Sequence, residues 1–250
     1  MKKIYFLNAM VDPQVGAVFS EGIHAAQKKH PRAGEFQIIE KNFFYGKSRV
    51  SPLDMHQVAL EENVAGVILS GSEKNTSDPF DPWVKSYLQG LKKLIGLDRG
   101  AGDDWAGPAF PVFGICFGHQ ALAVALGGEV SRFSYQSGFI DLNLRRQSQN
   151  HPIFKKLGAE SKLRVGVTHG DHVVRLPKGL HLLATSDYCD CQAFAHDQWD
   201  IVGVQCHPEI TAKIQTVASE KKWKNESDED FKDPSGSKIL ESVYDWMLRA

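Results

Sequence analysis

Two short stretches hold residue types capable of covalent chemistry. "GICFGHQ", 114–120, sets Cys116 between Gly114 and Gly118, directly after the apolar run Pro111–Ile115. Where a strand reverses sharply into a helix, the residue at the tip is exposed, and a Cβ on either side would crowd the turn. Glycine at both flanks is what such a turn requires. The following helix aims its positive N-terminal end at the thiol and favours the thiolate, while the Phe117 amide points where an oxyanion would develop. The alternative is a small buried cysteine that only packs.

A sulfur nucleophile needs a base, and the base needs an orienting group. Among ten histidines, His207 stands out within "GVQCHPE", 203–209. Pro208 biases it toward extended backbone. Glu209 can reach the ring nitrogen that faces away from a substrate, which would fix the tautomer and stabilise the imidazolium. Alone, His-Pro-Glu reads better as a structural histidine at a strand end, but the two motifs each supply what the other lacks. Cys206 points to the opposite face of the strand from His207 and reads as packing, as do Cys189 and Cys191. Cysteine spacing implies no metal, and no phosphate-binding glycine run or dinucleotide fingerprint implies a cofactor.

The elements expected to position these residues alternate through the first half. Strands are predicted over 3–9, 36–44, 65–71 and 110–115. Helices are predicted to open at Asp12-Pro13 and at Ser51-Pro52, the latter running to about Glu62, and across 81–97 and 120–126. This alternation implies a parallel sheet covered on both faces. Short strands are then expected at 129–134, 137–145, 162–168, 172–176, 181–185, 192–196 and 201–207, with a closing helix over 237–250. One domain over 1–250, a mostly parallel sheet with a small antiparallel excursion, is the simplest organisation. The 98–109 stretch reads as a loop. The charged 219–237 stretch reads as a solvated surface segment, with a lid or docking surface as the other reading.

With 42% hydrophobic and 24% charged residues and a net charge of −1, nothing suggests a nucleic-acid partner. No apolar run reaches membrane-spanning length, and the N-terminus lacks the pattern of a secretion signal. A reducing cytoplasm with free thiols is the expectation.

GICFGHQ followed about 90 residues later by GVQCHPE resembles the class I glutamine amidotransferase family. The likeness is closest to the glutaminase part of GMP synthases and their stand-alone relatives. VILSG (67–71), THGD (168–171) and GLHLLATSD (179–187) match further segments in the family's order. The resemblance implies a flavodoxin-like three-layer fold and a triad of Cys116, His207 and Glu209. It further implies oxyanion donors at Gly71 and Phe117, and substrate contacts at Gln120, Thr168, His169 and Gly170. On a second reading, His169 and Asp171 merely tie one loop together. The implied reaction is hydrolysis of the γ-amide of glutamine, or of a γ-glutamyl compound, through a thioester, without metal or cofactor. A synthetase subunit receiving the ammonia is the implied partner; γ-glutamyl peptide hydrolysis and a non-catalytic binding role are the alternatives.

The chain departs from the family at Ser70-Gly71-Ser72-Glu73, where Ser-Gly-Gly-Pro is common. Ser-Gly-Ser, and a downstream segment like Asp81-Pro82-Trp83, resemble plant γ-glutamyl peptidases. The chain ends about 40 residues after His-Pro-Glu, and no ATP-pyrophosphatase domain is expected in it.

Overall fold

A computed structural model of the chain describes residues 1–99, 105–157, 162–210 and 235–249. Nine strands form one sheet: β1 (Lys2–Asn8), β2 (Phe36–Asn42), β3 (Val64–Leu69), β4 (Val112–Ile115), β5 (Glu129–Leu144), β6 (Lys162–Arg175), β7 (Leu180–Thr185), β8 (Ala193–His196) and β9 (Ile201–Val204). Their spatial order is β2-β1-β3-β4-β9-β8-β7-β5-β6. The first five are mutually parallel and the last four join antiparallel, so β9 is the seam between the two halves.

Helices α1 (Pro13–Lys29), α2 (Pro82–Leu94), α3 (Phe117–Ala125), α4 (Pro152–Lys155) and α5 (Gly236–Met247) cover both faces. Alternation along β1 sorts the core. Ile4 and Phe6 join Ile23 of α1, Phe154 of α4 and Tyr244 of α5 on one face, while Tyr5 and Leu7 join Tyr87 of α2 and Leu122 of α3 on the other. Asp12 and Asp81 each cap a helix, accepting two backbone N–H bonds, with proline at the first helical position.

Three expectations change. Residues 52–60 form a 3₁₀ helix, because the buried residues Pro52, Met55 and Val58 recur every third position, which is the 3₁₀ period. The segments 129–134 and 137–145 are one strand, and so are 162–168 and 172–176, since β5 and β6 pair along nearly their whole lengths. The last helix opens at Gly236, so the charged stretch ends earlier than expected. Residues 219–234 of that stretch, and 100–104 of the expected loop, lie outside the described residues.

Candidate active site

β4 meets α3 at Cys116, whose φ of +49° is one of two positive values at non-glycine residues among those described. Such a backbone is strained for an L residue and is retained only where its surroundings impose it. The Cys116 N–H donates to Val204 O at 2.8 Å and Gly118 N–H to Ser70 O at 3.1 Å, tying the turn to β9 and to the loop after β3. A Cβ at Gly114 would stand 2.6 Å from the Gly118 carbonyl carbon, and one at Gly118 would stand 2.6 Å from Leu69 O. Both flanking glycines are therefore demanded by space. The Phe117 N–H is the first of α3, among those a helix leaves without an internal acceptor.

The loop after β9 carries His207. Its ring stacks on Phe19 of α1 at 4.8 Å between centroids, and its Nδ1 meets Glu209 Oε1 at 2.8 Å. Both side chains are almost wholly buried. Burial opposes charge on the ring, but Glu209 and Cys116 outweigh it and raise the His207 pKa to about 10. Its Nε2 is buried with no hydrogen-bond partner among the described residues, and His207 lines a cavity together with Cys116.

Gly71 leaves no room for a side chain between these groups. A Cβ there would lie 2.7 Å from His207 Cε1 and 3.6 Å from Cys116 Cβ. The Ser70 hydroxyl steadies this loop, accepting from the Ala9 N–H and donating to Gly71 O, each at 2.7 Å. Glu73, in place of the family's proline, accepts from the Val11 and Asp12 amides at 2.7 and 3.1 Å, pinning the loop to the start of α1.

The cavity measures about 260 Å³, and Gln120, Thr168, His169 and Gly170 all line it. Gln120 is locked by its own bonds. Its Nε2 donates to Asp171 O and Gln205 Oε1, and its Oε1 accepts from the Thr76 hydroxyl. Cys116 Sγ lies 3.8 Å from Thr168 O. The His169 ring is occupied by Asp171 O and the Tyr188 hydroxyl, and burial holds its pKa down at about 3. Its ring thus ties β6 to Tyr188 of the segment after β7. The Asp171 carboxylate latches the 72–77 loop through the Ser77 amide and hydroxyl, both at 2.9 Å.

Sequence reasoning passed over Arg132, Tyr135, Lys74, Asn75, Met10 and Phe19, which also touch or line this site. Residue type offered no signal for them. Cys189, Cys191 and Cys206 are buried, and burial pushes each thiol up, Cys189 to about 11, which suits packing rather than reaction. Among the described residues no group of three or more His, Cys, Asp or Glu is placed to hold a metal, and no helix is long and apolar enough to cross a membrane.

A buried His–Glu pair beside a cysteine on a strained strand-to-helix turn, on a sheet of this order, defines a class of protein as well as a site. The family model for glutamine amidotransferase class-I matches residues 44–223, and the chain belongs to that family. A GMP synthase (glutamine-hydrolyzing) subunit from Methanosphaera stadtmanae is 40% identical over 101 residues, 40% of this chain and 52% of that one. A GMP synthase (glutamine-hydrolyzing) from Idiomarina loihiensis is 32% identical over 153 residues, 58% of this chain and 25% of that one. The matched stretches therefore span about half or less of those relatives. The fold is shared with a glutamine amidotransferase from Thermotoga maritima, at a TM-score of 0.68 and 18% identity, covering 100% of this chain and 99% of that one. It is also shared with one from Methylobacillus flagellatus, at 0.63 and 19%, covering 99% and 94%.

Proposed function

We propose that the chain hydrolyses the γ-amide of glutamine, or of a closely related γ-glutamyl compound, through a thioester on Cys116. The observation that carries this is the His207–Glu209 pair, 2.8 Å apart, at the cavity of a cysteine held at φ +49°. In the first half-reaction the Cys116 thiolate forms a bond to the amide carbon, and the carbonyl electron pair moves to oxygen. The Gly71 and Phe117 amides receive that oxyanion. The intermediate collapses as the C–N bond breaks, and the leaving nitrogen takes its proton from His207 Nε2. In the second, water gives a proton to His207 and attacks the thioester, so glutamate leaves and the thiolate and imidazolium are restored. Glu209 holds the ring throughout in the orientation that leaves Nε2 to the substrate. Thr168 and Gly170 border the glutamyl portion, with Gln120 shaping its wall.

The Methanosphaera relative is named as one subunit of its enzyme, which supports passage of the ammonia to a separate synthetase subunit. The four cysteines, all free, suit a reducing cytoplasm. Cys116→Ala is expected to abolish release of ammonia and glutamate while leaving the denaturation midpoint close to wild type. An electrophilic glutamine mimic should label Cys116 alone on peptide mass mapping. Full turnover by the alanine variant, or label on Cys206 with Cys116 unmodified, would refute the assignment.

A further inference from the structure

An irregularity in β5 brings to the cavity an arginine that the reaction above does not use. The ladder runs from Arg132↔Asp171 to Gln136↔His169, so residues 133–135 face Gly170 alone. Positions three apart on an even strand face opposite sides. This bulge lets Arg132 and Tyr135 both line the cavity with Cys116, a use bulges commonly serve.

Arg132 is held in place. Its Nη1 donates to Asn75 Oδ1 at 2.5 Å and to Asp171 Oδ1 at 3.1 Å. Its guanidinium lies across Gly170, where a Cβ would stand 2.8 Å from Cζ and 3.0 Å from each Nη. The Nε and Nη2 donors have no protein partner among the described residues, and the side chain is half exposed. The result is an oriented fork with spare donors, which matches a carboxylate.

Spacing selects which carboxylate. Cys116 Sγ rests against Thr168 O, and Gly170, under the guanidinium, is two residues further along β6. Two residues of strand advance about 7 Å. An extended γ-glutamyl group spans about 5 Å from its reacting carbon to its α-carboxylate, over four C–C bonds of about 1.5 Å. We infer that Arg132 receives the α-carboxylate of the γ-glutamyl substrate and sets the preference for γ-glutamyl amides over simple amides. This rests on the reaction proposed above.

The test compares glutamine with 4-aminobutanamide, which keeps the amide, the chain and the amine but lacks the carboxylate. Wild type should prefer glutamine by roughly 10- to 100-fold in kcat/KM, the scale of a charge-assisted bond to a half-exposed group. Arg132→Met should erase that preference by lowering the glutamine value, chiefly through KM, and Arg132→Lys should recover part of it. A wild type that hydrolyses both amides equally overturns the inference without any variant. So does an Arg132→Met that lowers both substrates by one factor, since that marks a purely structural role. A third overturning result is an Arg132→Met that instead erases a preference for γ-glutamylglycine over γ-glutamylglycinamide, which would put the recognised carboxylate on the leaving group. Release of product from none of these substrates by wild type removes the proposed reaction itself, and this inference with it.

Discussion

Glu209 sets one oxygen on the His207 ring and buries the other with no partner among the described residues. A carboxylate so placed is tolerable because an imidazolium answers it. The sign follows from the raised pKa. His207 rises from 6.5 to about 10, so the stability its charge contributes is whole below pH 6.5 and is lost as pH climbs through about 10. Urea midpoints of wild type should therefore fall across that window. Ring nitrogen shifts in NMR should keep His207 doubly protonated at pH 8. Glu209→Gln should bring its titration down by pH units, flatten that part of the profile and slow turnover roughly 100-fold or more. A wild-type ring that titrates near 6.5 would show that the pair does not hold the proton.

At the level of elements, β3 and α3 touch through Gly118, and the loop that carries Gly71 begins where they touch. Gly118→Ala improves helix propensity by about 1 kcal/mol yet drives a Cβ into Leu69. Net destabilisation of about 1–3 kcal/mol is expected from denaturation midpoints, with slower alkylation of Cys116. A more stable variant would show that the turn has slack. The elbow was legible in the sequence because its steric demand is local: glycines on both sides of one residue. His207 and Glu209 were legible because two positions of one loop share a task. Arg132 and Tyr135 were not, because an odd spacing along a strand places them on opposite faces until the bulge intervenes. The Asp171 latch was half legible, since its partners on the 72–77 loop lie far away in sequence. The 3₁₀ helix was legible only as a helix, and its three-residue period decided the type.

On the scale of the whole molecule, the parallel half presents Cys116 and the antiparallel half walls the cavity, with β9 joining them just before His207. The segment 207–209 is gripped from outside the sheet. A Cβ at Gly22 of α1 would stand 1.9 Å from Glu209 O, and one at Gly236 of α5 would stand 2.6 Å from Pro208 O. Gly22→Ala, which does not touch the cavity, is accordingly expected to cut kcat by pushing Glu209 off His207, with a stability loss of about 1–3 kcal/mol. Parallel measurement of kcat and urea midpoint checks it, and wild-type kcat would show that the grip is loose. The same grip has a consequence in time. Helix α5 follows β9 in the chain, and the backbone it braces carries His207 and Glu209. Under the reaction proposed here, a chain whose parallel strands have closed around Cys116 holds its thiol beside an unsteadied His207 until Gly236–Met247 has docked.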